Sequence, residues 1–323
     1  MKEKPAKKSR KCTIEWSASP PENWMLCFES VQKSSLLQSF SYLQAMAKTN
    51  NQCIRYGAIE INGVQAGLCA ILEAGLIKNA VHAVMLDQGP LWFEGFGNED
   101  DFARFVAEFR RRFPKRFGRR TRFIPLIEHS PIVEDILTEN GFKPQSAPYK
   151  TIWMDTRLPI EILRKNLHKR WRNALNKAEK RNLDIVWSAG GTNLGWLVEN
   201  YIEDKNRRNY AGTSLKTLMA LISEFSRGQN LLIGTAVLDG APIASILIFI
   251  HGTSATYQIG YTNDAGRENC AHHLLLWNAV QRLKEGHIHD FDLGGINDED
   301  AKGVRDFKIG MGGNLFEGPG LWV

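Results

Sequence analysis

The sequence lacks the short motifs by which several large protein classes are recognised. It contains neither the phosphate-binding pattern G-x-x-x-x-G-K-[ST] nor a G-x-G-x-x-G between a strand and a helix. No G-x-S-x-G nucleophile elbow occurs. The longest apolar run, "IASILIFI" at 243–250, is far shorter than the ~20 residues that span a bilayer. No apolar segment follows the basic N-terminus, so neither a secretory signal nor an integral membrane segment is expected.

Cysteine and histidine are sparse, and their spacing offers no metal site. The five cysteines are scattered and form no C-x-x-C pair, which favours a reducing, cytoplasmic setting. The adjacent His272 and His273 would diverge on a helix, and His287 and His289 have no nearby Cys or His to complete a ligand set. We therefore predict no metal.

Composition indicates a globular protein with a localised positive charge. The chain has 323 residues, of which 43% are hydrophobic and 24% charged, and this length allows two domains of ordinary size. The net charge is +6. Lysine and arginine occupy eight of 13 positions at 110–122 and eight of 18 at 164–181. Such clusters suit a polyanionic partner: a nucleic acid, a nucleotide or an anionic lipid head group. A solvated surface is the alternative for each.

A long-period repeat organises the chain. In each half, a helix precedes two apolar strands, joined by Asn62-Gly63 in the first half and around Asp239-Gly240 in the second. A third strand, a helix and a closing strand follow in both halves. The pattern predicts an α+β fold with two similar domains, each a mixed, mainly antiparallel sheet flanked by helices. We place a basic disordered tail at 1–12, domain one at 13–147 and domain two at 148–313, with packing of 314–323 against domain one as an option.

The order of several motifs resembles the Fem-type peptidyltransferases, which have two tandem acetyltransferase-like (GNAT) domains. The resemblance extends roughly from Leu36 to Gly313. Its motifs are "LQSFSYLQAMAK", "DQGP", "NGFKP", "LHKRWRNALNKAEKRNLDI", "YQIGYTNDAGRENCAHHLLLWNAVQRLKEGHIHDFDLGGI" and "GVRDFKIGMGG". The resemblance implies transfer of an amino acid from an aminoacyl-tRNA, as co-substrate, onto an amine of a peptide or small-molecule acceptor. It implies no other cofactor, and a monomer is one option.

The resemblance also directs attention to the Phe-Lys pair at 307–308. It implies that Phe307 lies in the core of domain two and that Lys308 points into a cleft, so that the glycines around it serve as turns. Lys308 is our candidate for stabilising the oxyanion of the tetrahedral intermediate. Tyr257 is the second catalytic candidate, as a hydrogen-bond donor to the same centre. For both residues the alternative is an ordinary surface or strand position.

Further residues are candidates for binding. The family places basic groups around phosphates, which arginine can bind bidentately. Lys48 ends the first helix of domain one, Tyr42 stands where the family often has tryptophan, and Asp292 orients a partner or terminates a strand. Arg207, Arg208 and Tyr210 lie in a polar loop. An amphipathic helix within 164–181 exposes the tRNA-binding candidates Lys169, Arg170, Arg172 and Lys177.

Two other functions fit parts of the sequence. An acyl-CoA-dependent N-acyltransferase would need a glycine-containing turn for the pyrophosphate. The corresponding stretch, "RENCAHH" at 267–273, has Cys270 and His272 where glycines are expected. A non-catalytic tRNA-binding protein would use the two basic segments and would not need Lys308.

Overall fold

The chain forms two compact units in the computed structural model, which describes residues 11–77, 79–209, 212–296 and 302–323. The first unit consists of residues up to 27, residues 53–147 and residues 319–323. The second consists of residues 28–52 and 148–318. No helix of the described residues is both long enough and apolar enough to cross a membrane.

A mixed sheet forms the centre of the first unit. Its strand order is β1-β2-β3-β4-β6, with β5 paired to β3. All neighbours are antiparallel except β4 and β6, which are parallel. Phenylalanines from the helices and from the sheet fill the core beside it. The strands are β1 (Cys12–Ser17), β2 (Cys53–Ile61), β3 (Val64–Leu76), β4 (Val81–Gly89), β5 (Leu91–Trp92) and β6 (Arg119–Pro125).

A second mixed sheet forms the centre of the second unit. Its order is β13-β7-β12-β11-β10-β9-β8, and only β11 and β12 are parallel neighbours. In each unit, a run of antiparallel strands leads to one parallel pair, which is β4–β6 in the first unit and β11–β12 in the second. The strands are β7 (Tyr149–Asp155), β8 (Asp184–Ser188), β9 (Leu231–Leu238), β10 (Ala241–His251), β11 (Ser254–Thr262), β12 (Asp290–Gly295) and β13 (Asn314–Gly318).

Helices flank the sheets, and several begin at side-chain caps. Asn98 accepts a hydrogen bond from the Asp101 amide at the start of the third helix, and Ser214 accepts from the Thr217 amide at the start of the eighth. The helices are α1 (Trp24–Glu29), α2 (Phe40–Asn50), α3 (Glu99–Arg112), α4 (Pro131–Glu139), α5 (Ile160–Asn166), α6 (Lys169–Ala178), α7 (Thr192–Arg208), α8 (Leu215–Arg227), α9 (Asp264–Glu268), α10 (Ala271–Glu285) and α11 (Lys302–Ile309).

Both hairpins that the sequence predicts are present in the structure. Asn62 and Gly63 have φ angles of 56° and 77°, and Asp239 and Gly240 have 51° and 80°. Paired left-handed residues of this kind match the twist of the strands that they join. The prediction of two mixed, mainly antiparallel sheets flanked by helices is correct.

The division of the chain differs from the sequence-based one in two places. Residues 28–52 belong to the second unit, since α2 lies against α8 and the Lys216 ammonium donates to the Thr49 carbonyl. Residues 314–318 add β13 to the second sheet, whereas 319–323 join the first unit. There, the backbone of Trp322 pairs with that of Phe123. Of the predicted tail, residues 1–10 lie outside the described residues.

Candidate active site

Lys308 is a buried cation held by backbone carbonyls. It lies in α11 and is only 8% exposed. Its Nζ donates to the carbonyls of Gly294 and Gly295, at 3.2 and 2.9 Å. An ammonium has three N–H groups, and no third acceptor for it occurs among the described residues. Burial lowers the pKa of Lys308 to about 8, against the opposing effect of Asp292. At pH 7 the group is therefore mainly protonated.

Asp292 shapes the turn that provides these carbonyls. Its Oδ1 accepts a hydrogen bond from the Thr151 hydroxyl and another, at 2.8 Å, from the Gly294 amide. Gly294 has a φ of 74°, and a Cβ on it would lie 3.0 Å from the Tyr257 carbonyl oxygen, so a side chain there is disfavoured. Burial raises the pKa of Asp292. Asp292 therefore bonds the turn whose carbonyls hold Lys308, and its role in substrate binding stays a prediction.

Tyr257 lies beside Lys308 and bonds a histidine. The Lys308 Nζ is 5.6 Å from the centre of the Tyr257 ring, and the Tyr257 hydroxyl is 2.9 Å from His272 Nε2. A bulge explains how the tyrosine comes to face this way. Gln258 is an extra residue between the pairs Tyr257–Ile248 and Ile259–Leu247, which puts Tyr257 and Gly260 on one face of the sheet.

Because Gly260 has no side chain, the Tyr257 hydroxyl and the His272 ring can approach each other. A Cβ at residue 260 would lie 2.2 Å from the Tyr257 hydroxyl and 2.6 Å from His272 Cε1. Burial lowers the pKa of both His272 and His273 to about 4, so both imidazoles are neutral near pH 7. The Nδ1 atoms of both are buried and have no hydrogen-bond partner in the described part of the chain.

Phe307 attaches α11 to the neighbouring helices through aromatic contacts. Its ring centre is 4.8 Å from that of His273, 5.5 Å from that of His272 and 5.9 Å from that of Trp171. The resulting aromatic cluster joins α11 to α10 and α6. Phe307 is half-buried rather than fully enclosed, but it packs on the core of this unit as the resemblance implies. These contacts fix α11, which carries Lys308, against the helix that carries His272, the partner of Tyr257.

The predicted anion-binding residues do not join this cluster. Arg207 and Arg208 lie in the last turn of α7, not in a loop, and both bond Asp204, at 2.7 and 2.9 Å. Lys48 ends α2 in the second unit, and its Nζ is 2.6 Å from Glu224. Because a carboxylate already accompanies each cation, a phosphate would have to compete for them.

The remaining two members of that set stand apart. Tyr42 is half-buried in the first turn of α2. Tyr210 lies outside the described residues. Among the described residues, no contact connects Lys48, Arg207 or Arg208 with Lys308.

The helix α6 presents the tRNA-binding candidates as predicted for an amphipathic helix. Trp171, Leu175 and Ala178 are buried. Lys169, Arg170 and Lys177 are exposed, and Arg172 is half-buried; within the described chain none of these four cations forms an ion pair. Next to them lies an open depression of about 360 Å³. Its lining residues are Asn173, Asn176, Lys177, Lys180 and Arg181.

The turn before α10 is where an acyl-CoA enzyme would bind pyrophosphate. Cys270 caps the helix in the left-handed region, at a φ of 54°, and makes no side-chain cap hydrogen bond. Arg267 is occupied: its guanidinium donates to Asp264 Oδ1 and to the Thr262 carbonyl. The turn therefore carries side chains at the positions where a pyrophosphate needs close approach to backbone amides.

Sequence reasoning missed His272 and Thr151 as neighbours of the catalytic candidates. The sequence suggests His272 only as a possible metal ligand and as a replacement for a glycine in the acyl-CoA turn. No group of three or more potential ligands able to hold a metal occurs in the described residues. The one available signal was its place at the start of a helix that follows the Tyr257 strand. Thr151, 141 residues from Asp292 in sequence, gave no signal because only the sheet brings the two together.

Comparisons with known proteins agree on the fold. The family model for the acetyltransferase (GNAT) domain matches residues 164–308. The crystal structure of FemX superposes with a TM-score of 0.76 at 14% identity, over 95% of this chain and 96% of that one. A tandem GNAT protein from the clavulanic acid biosynthesis pathway gives 0.52 at 12% identity, over 96% and 98%. L-PGS from Bacillus licheniformis gives 0.51 at 12% identity, over 90% and 93%. No curated protein sequence matches significantly.

Proposed function

We propose that this chain, which has the tandem GNAT fold seen in FemX, transfers an amino acid from an aminoacyl-tRNA to an amine of a peptide or small molecule. In this reaction the acceptor nitrogen attacks the ester carbonyl carbon, and the bond to the ribose oxygen of the tRNA breaks. The observation that carries the proposal is the buried ammonium of Lys308, held by two carbonyls beside the Tyr257–His272 pair.

The chemistry asks little of the protein beyond orientation and charge stabilisation. An aminoacyl ester is already activated, and orientation alone can supply roughly 7–11 kcal/mol of the barrier. The remaining requirement is stabilisation of the oxyanion, for which one fixed donor contributes about 3–4 kcal/mol. Lys308 has an N–H available for it. When His272 Nε2–H donates to the Tyr257 hydroxyl oxygen, the tyrosine's own O–H can donate to the same centre or to the leaving oxygen. His272 positions Tyr257.

Two features favour an aminoacyl-tRNA over acyl-CoA as the donor. The turn at Cys270 has no glycine and its neighbour Arg267 is already paired, so the usual pyrophosphate cradle is missing there. The unpaired cations of α6 suit an extended polyanion better than a single pyrophosphate. The similarity in fold to FemX is consistent with the resemblance to the Fem-type family.

An acyl-CoA-dependent N-acyltransferase is the second candidate. It is favoured by the match of residues 164–308 to the acetyltransferase (GNAT) domain model. The tandem GNAT relative is also described in relation to AcCoA. A tRNA-binding protein without catalytic activity would not need the charge of Lys308 for turnover.

The donor experiment separates these functions. The protein is incubated with a pool of charged tRNA or with acyl-CoA, while a cell extract cleared of nucleic acid supplies the acceptor. We expect deacylation of tRNA that depends on the acceptor, disappears on RNase treatment and does not respond to acyl-CoA. Transfer that resists RNase and increases with acyl-CoA would contradict the proposal. Binding of tRNA without consumption would favour the non-catalytic alternative.

A further inference from the structure

Four large apolar side chains are exposed together at one end of the first unit. Leu76 is 69% exposed, Ile77 80% and Val81 52%, and Phe117 is fully exposed. We refer to these four as the apolar tip. Leu76, Ile77 and Val81 belong to the hairpin between β3 and β4, whereas Phe117 belongs to the loop between α3 and β6.

The sheet brings these two segments side by side. Leu76 and Val81 are opposite each other in the β3–β4 ladder. The His82 amide donates to the Gly118 carbonyl at 2.8 Å, which places Phe117 next to the hairpin. A Cβ on Gly118 would lie 2.3 Å from the Ala80 carbonyl oxygen, so the two loops touch at this point. The apolar tip is therefore one surface.

A guanidinium fixes the two loops to each other. Arg116 donates to the carbonyls of Asn79, Ala80 and Phe117, and so it bonds both the hairpin turn and its own loop. Ile77 has a φ of 51°, a conformation that a β-branched residue rarely adopts. The backbone thus holds Ile77 outward against its conformational preference.

Basic residues flank Phe117 in the loop that forms one side of the tip. The segment 110–122 contains eight basic residues and no acidic one. Lys115 and Arg120, on either side of Phe117 in sequence, are exposed, and so is Arg112. Among the residues described by the structure, none of these three forms an ion pair. The tip therefore combines an apolar centre with a positively charged border.

We propose that the apolar tip and its basic border bind the surface of an anionic phospholipid bilayer. Apolar side chains that enter the boundary between head groups and acyl chains, with lysine and arginine at head-group level, are the recognised arrangement for peripheral attachment. Three of the four tip residues are aliphatic and offer no ring on which a nucleotide base could stack, which argues against RNA. A second copy of this chain would place like charges against each other.

Vesicle sedimentation with the full chain tests this proposal. We expect binding to vesicles of phosphatidylglycerol and phosphatidylcholine, much weaker binding to pure phosphatidylcholine, and a loss of affinity as salt is raised. Phe117→Ser and Ile77→Asn should each weaken binding by at least about fivefold, because each removes an inserted apolar group. Lys115→Gln and Arg120→Gln should each weaken it by about fivefold.

Two matched variants serve as controls. Val64→Ser changes a 56% exposed residue at the other end of β3, and Lys143→Gln removes an exposed cation elsewhere in the same unit. Neither should alter vesicle binding. The four substituted tip and border residues are exposed, so none of these variants should lower the temperature of thermal unfolding.

Three outcomes would overturn the proposal. They are no binding to anionic vesicles, equal loss in the controls, and tip variants that lose affinity for RNA but not for vesicles. The proposal is independent of the aminoacyl transfer, which should continue unchanged in the tip variants when a soluble acceptor is used.

Discussion

The hydrogen-bond partners of Lys308 are compatible with the catalytic role that we propose for it. A structural buried lysine is normally paired with a carboxylate, whereas Lys308 bonds the carbonyls of Gly294 and Gly295. Asp292 bonds Thr151 and Gly294 rather than the ammonium. The direct hydrogen-bond partners of the ammonium are therefore neutral, and Asp292 acts on its charge without bonding it. Such a charge is available to an anion that develops nearby, which is what the tetrahedral intermediate supplies.

Replacement of Lys308 by methionine tests this role. Lys308→Met keeps most of the stem and removes the charge, so we expect kcat and kcat/KM to fall together by about 10²–10³-fold with KM nearly unchanged. Relief of the cost of burying a cation partly offsets two lost hydrogen bonds, so the unfolding midpoint should stay within a few degrees. A rise in KM for the donor at constant kcat would instead indicate a phosphate contact.

The pH profile gives the same residue a second readout. The oxyanion role needs protonated Lys308, and burial brings its pKa to about 8, so activity should fall as pH rises through about 8. Arginine keeps its charge well above that pH, so in Lys308→Arg this falling limb should disappear, even if the overall rate is lower. An activity that increases through pH 8 with the pKa of Lys308 would make it a general base and contradict our assignment.

Gly260 offers a test of the Tyr257–His272 pair that does not touch either ring. In Gly260→Ala the new methyl group would overlap the Tyr257 hydroxyl, so the tyrosine must move. We expect a loss in kcat similar to that of Tyr257→Phe, about 10-fold or more. Gly303→Ala in α11, where a Cβ meets nothing within 4 Å, is the matched control and should retain full activity. Retention of activity in both variants would remove Tyr257 from the mechanism.

At the scale of the element, the contribution of the α6 cations to tRNA binding can be measured from the salt dependence of the affinity. If Lys169, Arg170 and Lys177 contact tRNA phosphates, replacing each by alanine should reduce the slope of log K against log salt by roughly 0.7–0.9. Arg164→Ala is the control, because Arg164 is already paired with Glu179 and should leave the slope nearly unchanged. If the slope is unaltered in a variant that carries all three alanine substitutions, this face of α6 is an ordinary solvated surface.

Elements could be predicted from the sequence where local chemistry decides them. Asn62-Gly63 and Asp239-Gly240 specify their hairpins because both residues of each turn must be left-handed. The final turn of α7 was missed, although Leu197, Val198 and Tyr201 form a buried stripe on this helix, because the arginines at its end resembled loop residues. The helix α11 was not expected because glycines surround it.

At the scale of the whole molecule, the sequence predicts the tandem repeat, but it does not show which segments belong to which unit. Residues 28–52 precede the first sheet in sequence and yet complete the second unit. The contact of α2 with α8 spans more than 150 residues, and neither helix alone specifies its partner. The site shows the same division: Lys308 and Tyr257 could be proposed from motifs, whereas His272 and Thr151 depend on tertiary packing.

Trp322 tests how much the first unit depends on a distant segment. Its side chain is buried in the aromatic core of that unit, and its backbone pairs with Phe123. We expect Trp322→Ala to destabilise the first unit by about 3–5 kcal/mol, visible as an earlier unfolding transition. Val323→Ala, at a half-exposed neighbour, is the control and should change little. Equal stability of both variants would show that 319–323 is dispensable.

The first unit is built from separate segments of the chain, and this affects the order in which its parts become available during synthesis. Translation delivers residues 53–147 early, but the strand pairing of Trp322 must wait until about 175 further residues have left the ribosome. Until then the nascent chain exposes the place that this tryptophan will fill, between sheet and helices. Since domains generally fold from the N-terminus as they emerge, this protein inverts the usual sequence: the half that is made first is the half that is finished last.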